Sequence, residues 1–377
     1  MGPRFQGEIP MGILHRLFGR RTAEVWRAET RLLHRFGYVQ PPKAVQWIST
    51  SVCDLSCPHC YSHAGKKSRG ELTTDEAKRL IIDELVNLDR PTFVIAGGET
   101  LLRKDFPEVI EYTHQRQVPW AIHTHGGRVE ALLDVFERFP PVMAAISLDG
   151  PREYHDKFRG KAGSFAAALR AIKALKRVGV PEVVAGTTIT RDNADLLADM
   201  LPTILASGAD SWGFHLMTPE GRAGEHRDLT PAPRQLRRAA AFGRRLRSLF
   251  HVELDNEWGS AGADDYFYRD EAFHCGAGRV TCVVSATGEV MPCTTTDPAE
   301  SQGNVRDRPL SDIWADGFSD FRSAGHGEKS DCDDCWLQTR HGHSCRPAFF
   351  LDLFADGHGY VSGPLLQVGV PRKEVAV

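Results

Sequence analysis

A chain of 377 residues with a formal net charge of −3 is long enough for a full hydrophobic core and two or three structural units. That balance gives no reason to expect nucleic acid as a partner, and with no run of about 18 apolar residues no membrane span is expected either. The N-terminus MGPRFQGEIPMGILHRLFGRR has neither an adequate apolar run nor a small-residue cleavage site, and Gln6 stands where a myristoylation signal needs Ser or Thr, so a cytoplasmic protein is expected.

Residues 13–36 read as a helix rich in arginine (Arg16, Arg20, Arg21, Arg27, Arg31, Arg35), either a solvated face beside the main fold or an anionic partner surface. AVQWISTS (44–51) is a first strand that runs straight into a cysteine-bearing loop. Thr73 and Glu76 form a capping box that opens a helix to about residue 88. TFVIAG (92–97) is a second strand, followed by a helix near 105–115. PWAIHT (119–124), VMAAISLD (142–149), EVVAGTTI (182–189) and SWGFHLM (211–217) are four more short apolar runs, which suit strands buried on both faces. Between the fourth and fifth, Phe165, Leu169, Ile172, Leu175 and Val178 recur at helical spacing, with Ser164 as N-cap and Gly179 as the stop.

Six strand–helix units joined by right-handed crossovers predict an α/β fold, a partial (β/α)6 TIM-like barrel over 44–253 preceded by an N-terminal helical arm, 1–43. In such barrels the chemistry lies at the C-terminal ends of the strands. From about residue 254 the chain turns Gly-, Asp- and Cys-rich. GRVTCVVSATGEVMPC predicts a hairpin turning at 286–288, and 254–377 read as a small Cys-rich C-terminal domain and tail.

Nine cysteines fall into two groups, with none between Cys60 and Cys275. An odd, clustered set in a chain without a secretion signal argues for metal rather than disulfides. In SVCDLSCPHCYSHAG (51–65), Cys53, Cys57 and Cys60 are spaced C-x₃-C-x₂-C. Three thiols leave a tetrahedral zinc site one ligand short, to be completed by His59 or His63. They equally leave one iron of a four-iron cluster free for another ligand.

CDLSCPHCY, placed after a first barrel strand, resembles the cluster loop of the radical S-adenosylmethionine (SAM) enzymes, and the resemblance extends over about 45–217. It implies that Cys53, Cys57 and Cys60 hold three irons of a [4Fe–4S] cluster as thiolates, with SAM chelating the fourth through its amino and carboxylate groups. Reductive cleavage of SAM to a 5′-deoxyadenosyl radical is the implied chemistry. AGGET (96–100) resembles the family's Gly-Gly-Glu motif, with Gly97 and Gly98 allowing close backbone approach and Glu99 accepting from the SAM ammonium. THG (124–126) resembles a Thr-Asn-Gly, with His125 in place of Asn, and makes Thr124 a cofactor-side residue. By the same resemblance Ser147 in SLDG lies at the ribose, Arg159 in HDKFRG lies near the SAM carboxylate, and Tyr61 packs at the adenine.

Cys275, Cys282, Cys293, Cys332, Cys335 and Cys345 resemble the C-terminal iron–sulfur extension called SPASM, or its shortened twitch form. This implies at least one auxiliary [4Fe–4S] cluster, on Cys275, Cys282, Cys293 and Cys345. Cys332 and Cys335 imply a second auxiliary metal site whose other ligands stay open. His341 stands where a cysteine is expected and no cysteine follows Cys345. His341 or His343 with a carboxylate, a different metal, or a Cys₂His₂ zinc site on Cys332, Cys335, His341 and His343 are the alternatives.

The implied activity is that of a radical SAM oxidoreductase or peptide maturase, abstracting hydrogen from a substrate carbon. The expected substrate is a ribosomally made precursor peptide, modified by a C–C, C–O or thioether crosslink or by epimerisation. A small molecule or tetrapyrrole precursor is the alternative, and a non-catalytic zinc scaffold the alternative from another class. Thr294 follows Cys293 where sulfatase-maturing relatives carry an Asp, which points away from that activity. Residues 1–51 are too short for a leader-binding winged helix plus a first strand, so either a leader-binding module is a separate protein or the substrate needs none; an electron donor such as flavodoxin or ferredoxin is expected. His123, His125, His215 and Thr294 are the acid–base candidates, His215 facing the site from across SAM.

Overall fold

The computed structural model describes residues 39–218, 220–254, 276–294 and 298–322, and the architecture is that of the unit Pro41–Val377. All six expected strands form: β1 Ala44–Ile48, β2 Thr92–Ala96, β3 Trp120–Thr124, β4 Met143–Ser147, β5 Glu182–Ile189 and β6 Ser211–Leu216. They pair in parallel in chain order. Between them run helices α1 (Thr74–Glu76, then a π-helical stretch Ala77–Ile82, then Asp83–Asn87), α2 Phe106–Gln115, α3 Leu133–Arg138, α4 Arg152–Arg159, α5 Ser164–Arg177 and α6 Leu197–Ser207. The capping box at α1 is present, with Glu76 N–H donating to Thr73 Oγ1 at 3.3 Å and Thr73 N–H to Glu76 Oε2 at 2.8 Å.

Three strands extend the sheet beyond the expected six. After helix α7 Pro233–Leu246, β7 His251–Leu254 adds in parallel to β6. HVEL carries a glutamate and is too short to show a periodic signal. On the other side, β8 Thr281–Val284 pairs in parallel with β1 and antiparallel with β9 Val290–Met291, so the expected hairpin forms and its first strand joins the main sheet. The order is β7-β6-β5-β4-β3-β2-β1-β8-β9. The C-terminal segment, with helices α8 Leu310–Asp316 and α9 Ser319–Arg322, is tied to α1 by Arg306–Glu76 (2.7 Å) ahead of α8 and by the hydroxyl of Ser311, in the first turn of α8, on Glu84 (2.6 Å).

The N-cap of α5 differs from expectation. Gly163, at φ +84°, holds that position, and Ser164 is the first helical residue. Asp156 on α4 accepts from the Ser164 hydroxyl (2.9 Å) and from Phe165 N–H (2.7 Å), so a side chain from the preceding helix supplies the cap. Gly179, at φ +83°, closes the helix as expected.

Register separates the two faces of the sheet. Cys282, Val45, Phe93 and Trp120 form one row, and Trp120 packs on Phe106 of α2 and Phe136 of α3, so this face is covered by helices. The opposite face carries His123, then Ser147, Gly186 and Gly213, then Thr188 and His215. The second face is the lumen of the curled sheet, and its polar residues cluster at the C-terminal strand ends. Among the described residues no helix is long and apolar enough to cross a membrane.

Candidate cofactor and active site

The three thiols sit in a loop that leaves β1 and is closed on itself. Gly65 N–H donates to Ser51 O (2.8 Å) and Cys53 N–H to Gly65 O (3.1 Å). Buried Glu71 accepts from Ser51 N–H (2.9 Å), Ser68 N–H (3.0 Å) and the Thr50 hydroxyl (3.0 Å), and so fixes both ends of the loop. Cys57 is buried, Cys53 and Cys60 are half-buried, and all three are free thiols. Burial pushes the Cys53 thiol up to about 11 and raises Cys57 as well, although Arg159 pulls Cys57 the other way. Ala64 N–H donates to Cys60 Sγ (3.3 Å), the polarity a thiolate wants.

The loop touches the ends of several other strands. Gly98 N–H donates to Thr50 O and Glu99 N–H to Val52 O, both at 2.7 Å. A Cβ on Gly98 would lie 2.2 Å from Val52 O, and one on Gly97, at φ +137°, would lie 2.6 Å from Thr50 O. Only glycine fits such a close approach. Gly98→Ala is therefore expected to displace the loop and lower the melting temperature by several degrees, as read by calorimetry.

Glu99 is fully buried. Its carboxylate accepts from the Thr124 hydroxyl (2.7 Å), His125 N–H (3.0 Å) and Leu101 N–H (3.2 Å), which makes it an anchor between the ends of β2 and β3. His125 accepts from Gly127 N–H at Nδ1 (3.1 Å), which leaves Nε2 as the ring's donor. Nε2 lies 2.9 Å from Asp54 and 3.0 Å from Glu99. Asp54, beside Cys53, also accepts from Lys161 (2.5 Å). Cys53, Asp54 and His125 bring their ligating atoms within 4.8 Å of one another.

A buried ion pair lies behind the loop. Arg159 Nε donates to Asp149 Oδ2 at 2.6 Å, and Thr188 N–H donates to Asp149 Oδ1 at 3.0 Å. Burial alone would weaken the charge on Arg159, but Asp149 and then Cys57 outweigh it and hold the guanidinium charged. His59 stacks on Phe158 with centroids 4.7 Å apart, and burial drives its pKa down to about 4, so it is neutral at pH 7. His63 is exposed and lies 3.7 Å from Glu225.

On the lumen face His123 is exposed, while Ser147 and His215 are half-buried. A Cβ on Gly186 or on Gly213 would come within 3.2 Å of His215 Nε2, so these two glycines make room for the imidazole. Tyr61 is half-buried at the end of the cysteine loop. Thr294 is half-buried beyond β9, while His215 stands on β6, so the two lie on opposite sides of β1 in the strand order. Cys282 is fully buried on the helix-covered face, where burial raises its thiol to about 12 and Arg322 works against the rise. Cys293 is half-buried. Cys275, Cys332, Cys335, His341, His343 and Cys345 lie outside the described residues.

Residues 47–201 match the family described as the Radical SAM superfamily, and residues 275–336 match SPASM, described as an iron-sulfur cluster-binding domain. Mycofactocin maturase MftC of Mycobacterium ulcerans is 34% identical over 360 residues, which cover 88% of this chain and 90% of that protein. The chain belongs to the radical SAM superfamily. AdoMet-dependent heme synthase of Oleidesulfovibrio alaskensis is 30% identical over 302 residues, covering 74% of this chain and 77% of the relative. Streptococcus suis SuiB bound to S-adenosylmethionine superposes with a TM-score of 0.62 at 14% identity, over 78% of this chain and 70% of that one. Native anSMEcpe with bound AdoMet does so with a TM-score of 0.59 at 18% identity, over 86% and 98%. At these identities the solved structures speak for the fold.

For a radical SAM enzyme with a SPASM domain, the implied cofactors are a [4Fe–4S] cluster with SAM and auxiliary iron–sulfur binding. The donor set fits. Three free thiols share one loop, an N–H points at a sulfur, and the Arg159 charge offsets thiolates that burial disfavours. The glycine cradle brings backbone of the Gly97–Gly98 turn close beside that loop. Residues of this neighbourhood that sequence reasoning passed over are Asp54, Glu71, Asp149, Lys161 and Arg222. Asp149 stood inside SLDG, where only the serine was singled out, and Arg222 follows Gly221, a turn residue at φ +54°. Glu71 carried no signal.

Proposed function

We propose that this chain is a radical SAM maturase acting on a ribosomally made precursor peptide, with Cys53, Cys57 and Cys60 as the ligands of the SAM-binding cluster. The carrying observation is coverage: the maturase relative aligns over 88% of this chain at 34% identity, whereas the heme synthase aligns over 74% at 30%. Solved structures of the same fold hold the precursor peptide SuiA and the Cp18Cys peptide, which supports a peptide as the substrate class. When bound, the cluster and SAM supply one-electron reductive chemistry that generates a hydrogen-abstracting species.

The chain's own residues orient and shield that chemistry. Gly97 and Gly98 bring the backbone up to the ligand, and Glu99 and Thr124 lock the ends of β2 and β3 together. Arg159 holds positive charge behind the thiols, and the SAM carboxylate is assigned to it. Ser147 and Tyr61 are assigned to the ribose and adenine. His125 is fixed by Asp54 and Glu99 as a positioning group, while His215 faces the lumen to hold or move a substrate proton, with Thr294 as the other acid–base candidate. Auxiliary iron is assigned to Cys275, Cys282, Cys293 and Cys345, with a second metal position at Cys332 and Cys335 and His341 as a candidate ligand. A separate leader-binding protein and a flavodoxin or ferredoxin complete the proposal.

The second reading, action on a tetrapyrrole, is favoured by the AdoMet-dependent heme synthases and the Fe-coproporphyrin III synthase of Methanosarcina barkeri among the relatives. Anaerobic incubation with SAM, reduced flavodoxin and either a precursor peptide encoded beside the gene or Fe-coproporphyrin III decides between them. The expected result is a mass change in the peptide with matching 5′-deoxyadenosine. A change confined to the tetrapyrrole overturns the peptide assignment.

A further inference from the structure

The cysteine loop is held from a direction the family motifs do not mark. Shortly after β6, the turn Gly221–Glu225 meets the loop rooted on β1, five strands away in the sheet. In a flat sheet those strands would stand about 24 Å apart. Here Arg222 N–H donates to Cys60 O at 3.0 Å, its Nη1 donates to Cys57 O at 3.0 Å, and its Nη2 donates to Ala64 O at 2.5 Å. One residue thus ties down three carbonyls, two of which belong to the second and third cysteines. Gly221 lies so close that a Cβ on it would sit 2.1 Å from Tyr61 O.

We infer that Arg222 is a positioning residue for the SAM-binding cluster, clamping the 57–64 segment from the far side of the lumen so that Cys57 and Cys60 stay in ligating geometry. The inference rests on the cluster assignment above. A guanidinium suits this work because its planar fork sets donors on separate nitrogens, Nη1 for Cys57 O and Nη2 for Ala64 O, whereas lysine gathers its three donors on one nitrogen. The same bonds pin the chain beyond β6, the strand that carries His215, to the loop beyond β1. The clamp therefore links the chain segments that follow two strands five apart in the sheet.

The test uses anaerobically reconstituted full-length enzyme as wild type, Arg222→Ala, Arg222→Lys and Gly221→Ala. Iron release to a ferrous chelator is followed together with the EPR signal that responds to SAM, which separates this cluster from auxiliary iron. A wild-type enzyme with no SAM-responsive signal would sink the cluster assignment itself, a failure distinct from that of the clamp. Each variant is expected to lose the SAM-responsive cluster about tenfold faster or more, the usual cost of removing an outer-shell partner, while auxiliary iron is released at the wild-type rate. Arg222→Lys should resemble Arg222→Ala, because geometry rather than charge is what it lacks. If Arg222→Ala does not fold, Arg222→Lys and Gly221→Ala decide the matter. Wild-type release with an unchanged SAM response overturns the inference, and so does equal acceleration of auxiliary iron loss, which would indicate general loosening.

Discussion

Cys57→Ala is expected to bring 5′-deoxyadenosine formation down to the enzyme-free background. Of the three loop thiols Cys57 is the buried one, its carbonyl is clamped by Arg222, and the Arg159 charge acts on it directly. Burial disfavours the thiolate form of Cys53 and Cys57, and a bound metal together with that charge is what favours it. Two remaining thiols cannot hold a four-iron cluster with one vacant iron, and alanine offers no substitute donor. Cys293→Ala makes the contrast. It lies on the chain beyond β9, so SAM cleavage should persist uncoupled while product formation stops. Chromatographic assay of 5′-deoxyadenosine, beside iron and sulfide counts on the same preparations, checks both. Turnover retained in Cys57→Ala would defeat the cluster assignment.

Much of this was legible because β1 to β6 are short, largely apolar segments, broken only here and there by a polar residue such as Gln46, His123 or His215. The capping box of α1 and the turn of the C-terminal hairpin were legible for a related reason: a local bond pattern demands particular residues at fixed spacing. β7 was not, since its four residues gain their place by pairing with β6. Nor was the docking of β8 on β1, a contact between segments over two hundred residues apart in sequence. At the site, motif positions were readable and the partners that fix them were not. Asp54 takes its meaning from His125 and Lys161, Glu71 from Ser51 and Ser68, and Arg222 from three carbonyls on another loop. Such side-chain bonds leave no periodicity. The capping of α5 shows the limit most directly, because a serine in the right place was bypassed by Asp156 on the preceding helix.

Asp149→Ala is expected to lower the unfolding free energy by roughly 3–5 kcal/mol, the cost of stranding a buried partner charge. Both members of the Asp149–Arg159 pair are buried, and the Nε–Oδ2 distance is 2.6 Å. Burial by itself would raise the Asp149 pKa. The Arg159 guanidinium, the neighbouring His59 and His155 and the Thr188 N–H outweigh it, and the carboxyl is held below its usual range. A carboxyl depressed in the folded state contributes stability above its unfolded pKa of about 3.9, and loses that contribution as pH falls through the folded value. The wild-type advantage over Asp149→Ala should therefore be full at pH 7 and shrink only in acid, below about pH 4. At neutral pH the melting temperature should fall by roughly 5 °C. In Asp149→Ala/Arg159→Met both charges leave together, so much of the lost stability should return. Calorimetry of the two variants at pH 7 and at acid pH reads all three outcomes. Equal stability of wild type and Asp149→Ala at pH 7 would show that the pair does not hold β4, β5 and the cysteine loop together.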